Sequence, residues 1–371
     1  MGLQDEIDAI EAEIAETPYN KSTESHIGRL KAKLSEKKDT LERQQSGSGG
    51  GGGYAVEKTG DATVAFVGYP SVGKSTLLNA LTNADSEVGA YEFTTLDVQP
   101  GMLQYRGANI QLLDVPGLIE GAAGGRGGGR EVLSVVRTAD LVMFVLSVFE
   151  IQQYGQLKRE LYENKVRLDS RPKRISIRAR HKGGLNLTTG GDIGLAEETV
   201  AEVLREYGYV NADVTIREPL TIDELVDAIQ DNREYLPSTV AVNKADLITP
   251  EYKTDVDAEL REAGLDPEAV IFISAVEERG LTALKREIWD RLGLIRVYMD
   301  KPGRGVDYEE PLVLPTDSHT VDDALGTLGG SFDHRFRFAR VRGESAKHDD
   351  QQVGREHRLA DEDVLRIVAR K

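Results

Sequence analysis

Apolar residues recur at spacings of three and four in two stretches near the start of the chain. Ile7, Ile10 and Ile14 form one set; Ile27, Leu30, Leu34 and Leu41 form the other, with Lys, Arg and Glu between them. That period predicts two helices. Thr17 to Asn20, containing Pro18, separates the two patterns, so an antiparallel helical hairpin is expected. Its apolar stripe is too thin to stand alone, which implies a packing partner. SGSGGGGG, Ser46 to Gly53, then reads as a flexible tether.

From Thr63 the period changes. TVAFVG is a short apolar strand running into a glycine loop and a helix that begins near Lys74. Further strands are expected at Val98 to Tyr105, Ile110 to Val115, Leu141 to Leu146, Thr239 to Val242 and Val270 to Ile273, with helical segments between most of them. Alternating strands and helices predict an α/β domain with a doubly wound, mostly parallel sheet. The stretch from Leu146 to Thr239 is far longer than one connection needs. A helix over Ile151 to Arg167 would use part of it. The surplus carries its own signals: a strand at Arg174 to Arg180, and helices at Leu195 to Tyr207 and at Ile222 to Asn232, the latter N-capped by Thr221. A small α+β insertion is expected there. After Leu292, the segments IRVYMD, PLVLP and FRFARV read as strands, with a helix near Val321 to Leu328, which suggests a compact mixed domain. The expected organisation is a hairpin over 1–46, a Gly-rich linker over 47–61, an α/β domain over 62–170 and 236–293, an insertion over 171–235, and a C-terminal domain over 294–371.

Composition narrows the setting. The 371 residues hold 63 Asp and Glu against 46 Lys and Arg, for a formal charge of −17. Such a field repels nucleic acid at long range, although a local basic patch decides actual contact. Solubility, including adaptation to a high-salt cytoplasm, is the favoured reading of the acidity. There is no Cys, hence neither disulfide nor thiolate chemistry. The first residues, MGLQDEIDAIEAEIAE, lack an apolar signal core, and no apolar run reaches membrane-spanning length. A soluble, cytoplasmic protein is expected.

The candidate chemistry lies in separated motifs that make sense as one site. GYPSVGKS, Gly68 to Ser75, follows a strand and opens a helix, as the P-loop pattern G-x-x-x-x-G-K-S requires. Backbone N–H groups of Gly68, Tyr69, Ser71, Val72 and Gly73, with Pro70 (which has no N–H) shaping the loop between them and Thr76 behind them, would wrap phosphates at the positive end of the helix. Lys74 would place its ammonium on the β and γ phosphates, and the Ser75 hydroxyl would ligate Mg²⁺. DVPG ends an apolar strand, with Asp114 placed to hold Mg²⁺ through water and Gly117 N–H to sense the γ-phosphate. NKAD, Asn243 to Asp246, follows TVAV. The Asp246 carboxylate can accept from N1 and N2 of guanine, whereas adenine would leave it unpaired at a cost on the order of several kcal/mol. Lys244 would lie along the base, and Asn243 would tie this loop to the P-loop. ISA follows another strand, and puts Ser274 and the Ala275 N–H where guanine O6 is expected. YEFTTLD, Tyr91 to Asp97, occupies the place of switch I; Thr94 and Thr95 are both candidate Mg²⁺ ligands, Thr95 preferred. GAAGGRGGGR, Gly121 to Arg130, reads as a switch II loop ordered by γ-phosphate or a partner. Where small GTPases orient water with Gln, directly after Asp-x-x-Gly, this chain has Leu118. Slow intrinsic turnover is therefore expected.

Two basic runs stand out in the acidic chain: RPKRISIRARHK, with Arg171, Lys173, Arg174, Arg178, Arg180 and Lys182, and FRFARV, flanked and occupied by Arg335, Arg337 and Arg340. They read either as RNA phosphate contacts or as solvated strand faces, the second being favoured.

GYPSVGKST, YEFTTLDVQPG, DVPGLIEGAAGGRGGGRE and NKAD together resemble the DRG (developmentally regulated GTP-binding protein) branch of the Obg-like GTPases, in its archaeal type. The likeness spans nearly the whole chain. It implies a P-loop NTPase fold and a C-terminal TGS domain of ubiquitin-like β-grasp fold. It also implies a translation-associated GTPase that works with ribosomes and hydrolyses GTP without the usual Gln. K⁺ is a further candidate cofactor by this resemblance, although the P-loop position that is often Asn in K⁺-using relatives is Ser71 here. The expected activity is Mg²⁺-dependent hydrolysis of GTP, with Lys74, Ser75, Thr95 and Gly117 at the reacting phosphate. The expected partners are the ribosome or RNA, and a protein activator, with neither membrane nor DNA. The rivals are a nucleotide-stabilised scaffold with negligible hydrolysis, kept open by Leu118, and an ATPase relative, against which Asp246 argues because such relatives carry Glu in the base-reading motif.

Overall fold

A computed structural model describes residues 2–46, 58–82, 99–115, 135–301, 303–329 and 334–369. In chain order the elements are α1 (Leu3–Glu16), α2 (Glu24–Ser46), β1 (Ala62–Val67), α3 (Lys74–Leu81), β2 (Gln99–Tyr105), β3 (Ala108–Asp114) and β4 (Leu141–Ser147). Next come α4 (Gln153–Glu163), β5 (Val166–Leu168), β6 (Ile175–Ala179), β7 (Leu185–Thr189), α5 (Glu197–Glu206), β8 (Ala212–Ile216), α6 (Ile222–Gln230) and β9 (Glu234–Leu236). The chain continues with β10 (Ser238–Asn243), α7 (Pro250–Glu262), β11 (Ile271–Phe272), α8 (Leu281–Leu292), β12 (Leu294–Lys301), β13 (Gly305–Pro315), α9 (Val321–Leu328), β14 (Phe336–Arg342), β15 (Gln351–Val353) and β16 (Asp363–Ala369). These elements gather into two compact bodies, Met1–Gly53 with Lys165–Tyr235, and Tyr54–Asn164 with Leu236–Lys371.

The larger body is built on a six-stranded sheet in the order β11-β10-β4-β1-β3-β2. All its neighbouring pairs are parallel except β2 with β3. The sequence explains the parallel centre. ATVAFV, LVMFVLS and STVAVN are buried at every residue, as strands covered on both faces must be. Because these strands run the same way, β1, β3, β4 and β10 all end at one edge of the sheet, the edge where open α/β sheets hold ligands.

A second sheet, β13-β12-β16-β14-β15, packs one face on α9 through Val297, Leu325, Val341 and Leu365. This domain adjoins the first sheet's core, where Val313 and Leu294 join Leu103 and Trp289 in one apolar cluster. Two guanidiniums approach the Trp289 ring, Arg106 at 5.6 Å and Arg296 at 5.9 Å from its centroid. The turn between β2 and β3 comes close here: a Cβ on Gly107 would sit 2.4 Å from Pro311 Cγ.

In the smaller body, α2 lies on α5 and α6, the partner that the thin apolar stripe required. Gly28 makes the approach possible, since a Cβ there would already lie 3.1 Å from Thr199 Cγ2 and Val203 Cγ2. Ala32 enters the core formed by Val200, Val203, Val214 and Leu225. Polar groups reinforce the seam. Ala196, at the N-cap of α5, has no side-chain acceptor, and Glu24 of α2 supplies one instead. Its Oε2 accepts from Ala196 N–H at 3.0 Å and from the Thr199 hydroxyl at 2.8 Å. Burial raises the Glu24 carboxyl, but these hydrogen bonds outweigh it and hold the pKa below its ordinary value. Asp227 is 4% exposed and lies between Arg167 Nε at 2.6 Å and Arg233 Nε at 2.6 Å.

Several boundaries differ from the sequence reading. The helix expected over Ile151 to Arg167 stops at Glu163: Lys165 turns into the left-handed region at φ 68°, and Val166–Leu168 forms a short strand against β9. The insertion holds a three-stranded sheet, β6-β8-β7, not a single strand. In the C-terminal domain β15 and β16 were not anticipated, although β16 is the central strand.

Candidate guanine-nucleotide site

The P-loop leaves β1 at Val67 and enters α3 at Lys74. Two glycines are dictated by neighbours. A Cβ on Gly68 would lie 2.3 Å from Val145 O, and one on Gly73, whose φ is 95°, would lie 2.4 Å from Asn243 Nδ2. Ser71 also adopts a positive φ of 65°, and Val72 is fully buried beneath the loop. Tyr69 packs against the main core cluster, while Pro70 and Thr76 are exposed.

Lys74 is 7% exposed, and its Nζ donates to Gly68 O at 2.9 Å and Tyr69 O at 3.0 Å. Burial lowers its pKa, and the Asp114 carboxylate pulls the other way. Ser75 Oγ donates to Asp114 Oδ2 at 2.6 Å. Asp114 is 4% exposed, and its Oδ1 is buried with no hydrogen-bond partner among the described residues. A buried carboxylate oxygen left without a donor, beside a hydroxyl, suits a hydrated divalent cation. Gly117, Leu118, Thr94, Thr95 and the run from Gly121 to Arg130 lie outside the described residues.

Asn243 ends β10, is 3% exposed and joins the loops. Its Nδ2 donates to Val72 O at 2.9 Å, and its Oδ1 accepts from Ala275 N–H at 3.0 Å. The Ala275 N–H, expected to meet guanine O6, is thus directed at Asn243 in this structure. Ser274 is buried, its Oγ accepting from Glu277 N–H at 3.2 Å. Lys244 takes φ 65°, and a short 3-10 turn over Ala245–Leu247 carries Asp246. Asp246 is half-buried, with no side-chain partner among the described residues. Its carboxylate is therefore uncommitted.

Sequence reasoning missed Glu160. It sits on α4, its Oε1 is buried without a partner among the described residues, and burial, with Glu163 nearby, pushes its pKa up to about 7. Its charge in turn helps raise the Tyr69 phenol. Nothing in the sequence marks it, because a Glu within a charged helix reads as solvated.

A phosphate-wrapping loop joined by one asparagine to a base-reading loop, at the C-terminal edge of a parallel sheet, defines a P-loop guanine-nucleotide-binding protein. Residues 63–178 match the family described as 50S ribosome-binding GTPase, 182–294 match the C-terminal region of that domain, and 295–369 match the TGS domain. Developmentally-regulated GTP-binding protein 1 of Xenopus laevis is 42% identical over 363 residues, 97% of each chain. The chain belongs to the developmentally regulated GTP-binding protein family. Uncharacterized GTP-binding proteins of Halobacterium salinarum and Methanocaldococcus jannaschii are 64% identical (100% of each chain) and 46% identical (100% of this chain, 94% of the other).

Proposed function

We propose that this protein hydrolyses GTP to GDP and phosphate as a Mg²⁺-dependent molecular switch that works with the ribosome or its RNA. The observation that carries the reading is Asn243, which couples Val72 in the P-loop to Ala275 beside the base-reading loop. One small molecule with phosphates at one end and guanine at the other fits that coupling.

The chain's own groups divide the work. Lys74 turns from the Gly68 and Tyr69 carbonyls to the β and γ phosphates, a short movement within the same loop. Phosphate charge favours its ammonium form against the effect of burial. Ser75 and Thr95 would hold Mg²⁺, with Asp114 supporting it, and the bound ion would supply neutralising charge to the transferring phosphate. Asp246 selects guanine. Water attacks the γ-phosphorus as the β–γ anhydride bond breaks, and GDP departs. Leu118 stands where a Gln would orient that water, so the water has to be placed by backbone, another side chain, a monovalent cation or a partner; turnover alone is slow and a ribosome or protein activator raises it. The description of the matched family, 50S ribosome-binding GTPase, supports the ribosomal partner. A place in the cytoplasm belongs to the same proposal; among the described residues no helix is long and apolar enough to cross a membrane.

Phosphate release measured with and without ribosomes, in K⁺ and in Na⁺, tests the proposal. Slow release alone and faster release with ribosomes is expected. Rapid release from the protein alone contradicts the Leu118 argument, and the absence of release under every condition favours a nucleotide-stabilised scaffold. Asp246→Asn is expected to shift preference toward xanthine nucleotides; unchanged preference for GTP contradicts the base assignment.

A further inference from the structure

The β2–β3 hairpin has the nucleotide site at one end and the C-terminal domain at the other. In sequence, the candidate switch I run from Tyr91 to Asp97 leads into β2, and Asp114 to Gly117 leads out of β3. The two strands pair without a break, from Gln99 opposite Asp114 to Tyr105 opposite Ala108. Arg106 at φ 52° and Gly107 at φ 81° close the far end as a two-residue turn, which fixes the register. Over the seven residues of β3 the hairpin spans about 20 Å. At the near end the Asp114 carboxylate accepts from the Ser75 hydroxyl at 2.6 Å.

The far end is a packed joint. The Tyr105 ring meets the ring of Trp289, on α8, edge-on at 6.2 Å, and the Arg106 guanidinium lies 5.6 Å from the Trp289 centroid. Arg296 of β12 approaches the same ring and donates from Nη2 to Asp361 Oδ2 at 2.8 Å. Burial raises the Asp361 carboxyl, but hydrogen bonds from Arg296 and the charges of Arg296 and Arg106 outweigh it and hold it below its ordinary range. Gly107 runs flush on Pro311 of β13.

We propose that this hairpin is a lever that carries the GTP-or-GDP state of the nucleotide site to the C-terminal domain through Trp289. The lever rests on the GTP-switch reading above and gives that switch its internal readout. Both candidate γ-phosphate-reading segments attach to the same end of the hairpin, so they act on one object. β2 is the outer strand of its sheet, so a shift of the hairpin alters the ladder of β3 on β1, from Ala62 opposite Ile110 to Phe66 opposite Asp114, and leaves the β2–β3 ladder whole. The joint is close-packed and follows such a shift: Leu103 is 1% exposed and Trp289 4%. The other connection to the C-terminal domain, α8, follows the ISA segment at the base-reading end. Guanine is common to GTP and GDP, so that route carries no information about the γ-phosphate. By linkage the lever works in both directions. Whatever binds the C-terminal domain and moves the joint changes the preference between GTP and GDP by the same factor.

Trp289 supplies the probe, because it is the single tryptophan of the chain. The full chain is titrated with GDP and with a non-hydrolysable GTP analogue, with Trp289→Phe as the blank. The two nucleotides are expected to give different tryptophan emission and acrylamide quenching in the wild type. Arg106→Ala, at an exposed position away from the nucleotide, is expected to keep GDP affinity and to erase most of that difference. It is also expected to change the ratio of GTP-analogue to GDP affinity by roughly two- to fivefold, the worth of one cation–ring contact. Pro311→Ala, which removes the ring beside Gly107, is expected to move the ratio in the same direction. Identical emission with each nucleotide demonstrably bound overturns the lever and leaves the GTP-switch reading standing, as does a difference that both variants leave intact. An equal fall in both affinities marks a merely structural joint and overturns it too. If the wild type binds neither nucleotide, the lever and the switch fail together.

Discussion

Replacing Asn243 with Ala isolates the joint between the phosphate and base loops. The side chain makes two buried hydrogen bonds, to Val72 O at 2.9 Å and from Ala275 N–H at 3.0 Å. Truncation leaves a carbonyl and an N–H without partners in a region that is 0% exposed at Val72 and 4% at Ala275. Each orphaned group costs about 1–3 kcal/mol. The two share one side chain, so the sum is not additive, and about 2–4 kcal/mol of lost stability is expected. Nucleotide binding then has to restore an alignment that the folded protein otherwise supplies. If half of that cost falls on the bound state, GDP affinity drops by roughly fivefold to thirtyfold. Asn243→Asp separates the two bonds, because it keeps an acceptor for Ala275 and loses the donor to Val72. Titration with a fluorescent GDP analogue, together with urea unfolding, measures both quantities. Unchanged GDP affinity in a folded Asn243→Ala protein refutes the idea that this side chain couples the two loops.

Other consequences are equally specific. Gly73→Ala places a methyl 2.4 Å from Asn243 Nδ2 at φ 95°, so nucleotide affinity should fall by more than in Asn243→Ala, as calorimetry can show. Asp227→Ala leaves Arg167 and Arg233 buried without their carboxylate, and should cost about 3–5 kcal/mol in urea unfolding of the body that contains it. Because the folded Glu24 pKa is lowered, its stabilisation is present above the ordinary carboxylate range and is lost as pH falls through the folded value. Comparing wild type with Glu24→Gln from about pH 6 to about pH 3 should show their stability difference shrinking; a constant difference contradicts the cap.

The parts legible in the sequence are those set by local rules. β1, β4 and β10 are continuous apolar runs, and only a sheet covered on both sides holds such strands. The P-loop was readable because its glycines answer to steric demands at Gly68 and Gly73. Thr221 was readable as a cap, and its hydroxyl does accept from Glu224 N–H at 3.3 Å. What failed depends on the tertiary environment. DVLRIVA shows no clean alternation, so β16 emerges only from pairing with β12 and β14. LNLTT is too short to announce β7 without β8 beside it. The end of α4 at Glu163 follows from Val166–Leu168 finding β9 some seventy residues later, as order-of-magnitude loop entropy allows. Glu24 as the cap of α5 lies beyond local reading, because cap and helix are far apart in sequence.

That distance governs how the chain is made. The helical hairpin leaves the ribosome ahead of α5 and α6, yet the surface that covers Gly28 and Ala32 belongs to those two helices, synthesised long afterwards. Translation adds about 5–20 residues per second, so the hairpin waits on the order of ten seconds with the Gly28 and Ala32 face of α2 uncovered. Its dense covering of Lys and Glu keeps that waiting segment from sticking to itself or to its neighbours.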